Sequence, residues 1–196
     1  MKALIRRLKL KFIYELSKRL KPEMISYSKW NDQFIQKTII SNTSHISNKK
    51  NVQIGNNIYI FHNTYIDGHC KVTLKDGVAI GHCTTLVTHA AHDSLRLHGR
   101  NYVDTPPDQI KGMIKGPVFI GEYTFIGPNC VIMPGTTIGK GCIVAAFSFV
   151  SGEFPDFSII KGNPAVVVGN TQEIDKQFLK RYPELKNTYY NQDVIE

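Results

Sequence analysis

The chain has 196 residues, 24 Lys+Arg against 16 Asp+Glu, 42% hydrophobic residues and one Trp, a composition that fits one globular domain rather than a multidomain machine. Its formal charge of +8 is spread unevenly: residues 1–30 hold nine Lys/Arg and two acids, a net +7, and the other 166 residues carry +1. A body so nearly neutral argues against a broad basic face, and no nucleic-acid partner is expected.

At the N-terminus Leu4, Ile5, Leu8, Phe12, Ile13, Leu16 and Leu20 recur at spacings of one, three and four, which predicts an amphipathic helix over residues 2–21, ended by Pro22. Arg6, Arg7, Lys11, Lys18 and Lys21 gather on the other side of this helix. Two roles fit such a segment. It can cover an open sheet edge of the domain that follows, which we favour, or lie on an anionic membrane surface. Lys9, Lys11, Glu15, Lys18 and Arg19 interrupt what would be the apolar core of a signal peptide. No stretch approaches the roughly 20 apolar residues of a membrane-spanning helix. We therefore expect a cytoplasmic protein, with residues 2–21 as a surface for peripheral contact with the inner face of a membrane. Residues 1–45 are read as this helix and a linker.

From residue 46 to 169 a period of six takes over. Aliphatic residues recur at Ile54, Ile60 and Ile66, at Leu74, Ile80 and Leu86, and from Ile114 through Ile120, Ile126, Ile132, Ile138 and Val144 to Val150. Gly follows directly at Gly55, Gly81, Gly121, Gly127 and Gly139, and a small or compact residue comes four positions on, as at Thr64, Cys70, Thr84, Thr124, Cys130, Thr136, Cys142 and Ser148. Between Ile66 and Leu74 the spacing is eight, so the register slips by two. Six suits neither a helix nor a hairpin meander. It suits short strands joined by corners, three hexads to a triangular coil, which is a parallel β-helix. Inward aliphatic side chains stack from coil to coil, and the small residue fills the corner. Gly and Asn at corners such as Gly55-Asn56-Asn57 and Gly127-Pro128-Asn129 tolerate positive φ. Cys70, Cys130 and Cys142 occupy the small-residue slot and read as core fillers; with Cys83 they form no CxxC pair.

The repeat lapses over residues 88–113, and a long excursion from a regular scaffold is a functional candidate. It opens with Thr88-His89-Ala90-Ala91-His92-Asp93. Beyond the repeat, residues 170–196 predict a short helix capped by Thr171, with Ile174, Phe178 and Leu179 inward and Pro183 as its stop, then a polar tail around Tyr189-Tyr190 ordered against a neighbouring subunit.

The run from Ile120 through Gly127-Pro128-Asn129 to Ile138-Gly139, with Lys161-Gly162-Asn163-Pro164-Ala165, resembles the last coils and terminal turn of the hexapeptide-repeat acyltransferases, in particular the sugar and polysaccharide O-acetyltransferases. The resemblance covers about residues 50–170. It implies an all-β core folded as a left-handed parallel β-helix, acetyl-CoA as donor, a glycan or small-molecule acceptor, and a homotrimer with the active site between subunits. It makes His89 the first choice for general base, with His92 the second and Asp93 able to orient an imidazole. His62 and Asn63 become acceptor contacts. Phe125, Gly127, Ala145, Ala146 and Ser151 are implied along the pantetheine arm, with Lys161 and Pro164 towards the far end of CoA. Here the chain departs from the family: Gly152 stands where relatives carry Lys, and Val166-Val167-Val168-Gly169 replaces basic residues that would meet the phosphates. His69 and His82 read as structural, and His98, between Arg96 and Arg100, as a solvated loop residue. The rival readings are N-acetylation of an amino sugar on a nucleotide carrier, a zinc carbonic anhydrase built on a three-His site across an interface, and a non-catalytic scaffold; no metal is expected.

Overall fold

The computed structural model describes residues 2–19 and 21–192, the side chains of residues 2–5, 18 and 19 excepted. After α1 (Lys2–Arg19) comes a hairpin of β1 (Met24–Trp30) and β2 (Gln33–Ser41). The first triangular coil consists of β2, β3 (His45–Ile46) and β4 (Val52–Ile54). The second is β5 (Tyr59–Ile60), β6 (Tyr65–Ile66) and β7 (Val72–Leu74). The third opens with β8 (Ala79–Ile80) and β9 (Thr85–Leu86) and closes with β12 (Val118–Ile120). Between them lies the excursion, which contains β10 (His89–Ala90), α2 (His92–His98) and β11 (Ile114–Lys115). The fourth coil is β13 (Phe125–Ile126), β14 (Val131–Ile132) and β15 (Thr137–Ile138), and the fifth is β16 (Ile143–Val144), β17 (Phe149–Val150) and β18 (Glu153–Phe154). β19 (Ser158–Gly162) starts a sixth turn, β20 (Ala165–Asn170) folds back antiparallel on it, and α3 (Thr171–Arg181) follows. Equivalent strands of successive coils pair in parallel, which makes three walls: a first sheet through β2, β5 and β8, a second through β3, β6 and β9, and a third through β4, β7 and β12.

The six-residue period works because successive strand residues face opposite sides of a wall. In the first sheet Ile60, Ile80, Ile126, Val144 and Ile160 stack in register, each fully buried. The small residue four positions on has its own chemistry. The hydroxyls of Thr64, Thr84 and Thr124 are buried, and they donate to the carbonyls of Gly81, Gly127 and Gly139 one coil along at 3.1, 3.0 and 2.7 Å. Cys130 and Cys142 fill the same slot and are buried; Cys70 is half-buried there, and Cys83 is exposed at a corner.

The corners divide the work differently from the sequence expectation. Gly121 and Gly127 are needed for close approach: a Cβ on Gly121 would sit 2.6 Å from the backbone of Gly139, and one on Gly127 would sit 2.6 Å from Ala146 N. Positive φ falls on the third residue of the corner, on Asn57, Asn63 and Asn129 as the corner composition leads one to expect and on Gly141, but also on Cys83, Tyr123 and Phe147. In those last three the stacked coils hold an ordinary side chain in a region that costs about 1–2 kcal/mol.

Several boundaries move. β2 already pairs with β5, so the coils begin before residue 46, inside the segment read as linker. Ile114, assigned to the repeat, is 41% exposed in β11, and the repeat resumes at Val118, which is buried. α1 does not cover the first coil: Leu8, Phe12, Ile13 and Leu16 are exposed. Leu4, Ile5, Lys18 and Leu20 of the predicted helix lie outside the residues whose side chains are described. The cover is the β1–β2 hairpin, whose Trp30 is 6% exposed and donates Nε1–H to Val52 O at 2.7 Å. Trp30→Ala is expected to cost about 3–5 kcal/mol by opening this end of the core, measured by chemical denaturation. At the other end Asn170, not Thr171, caps α3 by accepting from Gln172 N at 2.8 Å. Of the three apolar residues expected inward, Leu179 is buried while Ile174 and Phe178 remain exposed. Tyr189 and Tyr190 pack on their own chain, against Asp175 and Tyr123.

Candidate active site

The corner between the second and third sheets is the one that swells. In the fourth coil Ile132 to Ile138 spans six residues, but Ile46 to Ile54 and Ile66 to Leu74 span eight, and in the third coil the whole excursion leaves from this corner. The excursion is anchored by an antiparallel ribbon in which His89 stands opposite Lys115 and Ala90 opposite Ile114. Beyond the ribbon it is partly helical, and His98 ties it together by accepting from Lys111 N at 2.9 Å, so His98 is a staple of the loop and not merely solvated.

Directly under the ribbon, in the enlarged corner of the preceding coil, lies Asp67, 2% exposed. Its Oδ2 accepts from His89 Nδ1 at 2.6 Å, from Thr88 Oγ1 at 2.8 Å and from Thr88 N at 3.1 Å. Its Oδ1 accepts from His69 N at 3.0 Å and from Ser47 Oγ at 3.3 Å. Burial on its own would raise the pKa of this carboxyl. The hydrogen bonds from the Thr88 side chain and backbone, the His89 ring and the His69 backbone outweigh it, and the pKa is lowered to about 2. An ionised carboxylate can only accept, so Nδ1 of His89 carries a proton, and in the neutral form of the ring the lone pair is on Nε2. The His69 ring lies against that of His89, with centroids 4.4 Å apart.

The other residues of the expected site fall elsewhere. His92 begins α2 with an exposed side chain, and its Nε2 is 3.7 Å from Asp93 Oδ2. Asp93, expected to orient an imidazole, pairs with Arg96 instead; the carboxylate that holds His89 is Asp67. His62 sits at the corner between the first and second sheets, its Nδ1 2.6 Å from Ser41 Oγ and its ring 5.4 Å from that of His82. Asn63 is beside it, exposed. Gly127, Ala145 and Ala146 occupy that same corner in the fourth and fifth coils, near Phe125, which projects from the first sheet and is 43% exposed. Ser151 lies on the swelling corner's side of the fifth coil, and Lys161 and Pro164 lie exposed at the β19–β20 turn. One chain therefore carries the His89 group and most of the expected CoA residues on different corners of the prism. Among the described residues, no three His, Cys, Asp or Glu side chains stand together as a set of metal ligands. Sequence reasoning alone does not single out Asp67 and Thr88 as members of the His89 group, and the signal that points to Asp67 is the two-residue slip after Ile66.

Comparison with known proteins accords with this architecture. The family model described as bacterial transferase hexapeptide (six repeats) matches residues 117–152. The galactoside O-acetyltransferase of Escherichia coli K12 is 32% identical over 136 residues, 68% of this chain and 61% of that enzyme. A Mycobacterium tuberculosis protein described as a probable acetyltransferase is 47% identical over 68 residues, 35% of this chain and 23% of its own length. The chain thus spans less than two thirds of either relative. Among solved structures, a hexapeptide-repeat acetyltransferase of Vibrio cholerae superposes with a TM-score of 0.59 at 28% identity, covering 72% of this chain and 74% of that one. A galactoside acetyltransferase in complex with coenzyme A gives a TM-score of 0.61 at 28% identity, over 72% of this chain and 66% of that one. With the repeat matched and the fold shared, the chain is a left-handed parallel β-helix of hexapeptide repeats, similar over most of its length to acetyltransferases of that architecture.

Proposed function

We propose that this protein is an acetyl-CoA-dependent O-acetyltransferase acting on a hydroxyl of a sugar in a surface polysaccharide or its precursor, with His89 as general base. The observation that carries the reading is the Asp67–His89 pair at the mouth of the excursion, 2.6 Å apart. Nε2 of His89 takes the proton of the acceptor hydroxyl as its oxygen attacks the thioester carbonyl. The imidazolium so formed is stabilised by ionised Asp67 and returns the proton to the sulfur as the tetrahedral intermediate expels CoA, leaving an acetyl ester and a free thiol. A backbone N–H of a facing coil would meet the oxyanion.

In this reading Phe125, Gly127, Ala145, Ala146 and Ser151 line the pantetheine path, with Lys161 and Pro164 beyond, and His62 and Asn63 contribute to the acceptor side. Because His89 and most of these residues lie on different corners of one prism, two subunits must meet to complete the site, and we assign the protein to a trimer. The exposed apolar side chains Phe125, Ile143, Phe147 and Val166, 43%, 39%, 74% and 57% accessible in the single chain, support burial at such an interface. Equilibrium sedimentation is expected to return three times the chain mass; a monomer at micromolar concentration contradicts the assignment.

The activity is tested by incubating the protein with acetyl-CoA and a panel of sugars, following thiol release and treating the product with mild base. An alkali-labile acetyl group on the sugar is the expected result. A base-stable amide on an amino sugar supports the N-acetylation reading instead, and no transfer to any acceptor refutes both.

A further inference from the structure

Beside the His89 pair, the swollen corners of the first two coils enclose a groove of about 370 Å³ lined by Lys50, Asn51, Gln53, His69, Cys70 and Lys71. It is made largely of residues of the two lengthened corners: Lys50 and Asn51 belong to the eight-residue interval after Ile46, and His69, Cys70 and Lys71 to the one after Ile66. None of the six is acidic. Both lysines are exposed, and among the described residues neither ammonium has a carboxylate partner, whereas Lys29 and Lys75 do. Asn51 Nδ2 donates to Gly68 O at 2.9 Å, which fixes the floor of the groove. His69 joins the groove to the reacting group, since its ring lies against that of His89 at 4.4 Å.

We propose that this groove is the acceptor subsite and that it selects a sugar bearing an anionic group, a phosphate or a carboxylate, which Lys50 and Lys71 hold while a hydroxyl of the same sugar is presented to His89. The inference rests on the acetyl-transfer reading of the His89 site. Two unpaired ammonium groups favour an anion, and the Gln53 amide and His69 ring offer hydrogen bonds suited to ring hydroxyls. The CoA phosphates are the competing anion. The groove lies on the first and second coils, before His89 along the axis, whereas the residues assigned to CoA lie on the fourth coil and beyond, so donor and acceptor approach His89 from opposite ends.

The test is equilibrium binding, in the absence of acetyl-CoA, of glucuronate, a glucose phosphate, glucose and coenzyme A to the full chain and to the Lys50→Ala/Lys71→Ala variant, both shown folded by circular dichroism. We expect at least one of the two acidic sugars to bind about tenfold or more tighter than glucose, and the margin to vanish in the variant and shrink with added salt. A preference for the phosphate over the carboxylate, or the reverse, identifies the source of the charge. Equal binding of glucose and both acidic sugars, a margin that survives the double substitution, or a variant that loses coenzyme A instead overturns the proposal. If the acidic sugars bind as expected and none is acetylated, the transfer reading fails while the subsite stands.

Discussion

His89→Ala is expected to lower acetyl transfer by about 10²–10⁴-fold, the usual contribution of a positioned general base. The loss should fall on kcat with little change in the KM for acetyl-CoA, because in the proposed reaction the ring meets the acceptor proton and not the nucleotide. His92→Ala, only three residues away, is expected to stay near wild type. The asymmetry follows from their surroundings. His89 is fixed by a 2.6 Å bond to a buried carboxylate, whereas His92 projects from the start of α2 with 56% of its side chain accessible. Thiol release with a saturating acceptor distinguishes the two variants. A His89→Ala enzyme at full turnover would falsify the base assignment.

Asp67→Asn carries the second large effect, and it acts on catalysis and stability at once. Asparagine can offer an amide N–H where the carboxylate accepted, so Nδ1 of His89 is free to lose its proton and Nε2 to gain one, the tautomer that cannot act as base. Transfer is expected to drop by about 10²-fold or more. Stability changes too. The carboxylate is 3% exposed and satisfies donors from Thr88, His69 and Ser47 as well as His89, so an imperfect replacement leaves buried donors facing one another, at a cost of about 1–3 kcal/mol. A pH signature accompanies this. The Asp67 pKa is depressed from 3.8, the value of a free aspartate side chain, to about 2 in the fold, so its ionised contacts contribute about 2 kcal/mol that is fully present above the unfolded value. That contribution is lost as pH falls through about 2. Denaturant titrations at pH about 5 and about 2 should show the wild type losing this increment while Asp67→Asn does not. An equal loss in both would mean that another group dominates acid unfolding.

The two substitutions also mark what is and is not legible in this sequence. The hexad speaks plainly because it is enforced at every coil: Ile60, Ile80 and Ile126 must each fill the same fully buried position, and Thr64, Thr84 and Thr124 must each find a carbonyl of the next coil at their corner. A constraint repeated this often leaves a period that no local accident can hide. The excursion is legible as its interruption, and with it His89. Asp67 is not, because a lone Asp followed by Gly68 in a lengthened corner has the composition of an ordinary polar turn, and its burial depends on Thr88 and His89 folding over it from 21 and 22 residues away. Asp93, adjacent to a histidine in sequence, is the natural candidate, yet one helical turn brings Arg96 to it. The N-terminal cover is hidden for a related reason. The apolar stripe of α1 is visible in the sequence, but Trp30 closes the core through a hairpin in which only Ile40, six residues before Ile46, continues the period of six.

The same enlarged corner explains why the site lies where it does. Two extra residues in each of the first two coils and the excursion in the third leave a recess on one edge of an otherwise regular prism, and the buried carboxylate, the imidazole and the lysine-lined groove all belong to it. A coil that kept six residues at that corner, as the fourth does between Ile132 and Ile138, has no room for such a group.

The central claim is that Asp67 acts through His89 and that the two form one proton-transfer unit. The most direct measurement is a double-mutant cycle in single-turnover acetyl transfer, comparing wild type, Asp67→Asn, His89→Ala and the double variant. If Asp67 works through the imidazole, the double variant is no slower than His89→Ala alone, since an orienting carboxylate has nothing left to orient. Losses that multiply, so that the double variant is slower by the product of the single effects, would contradict it.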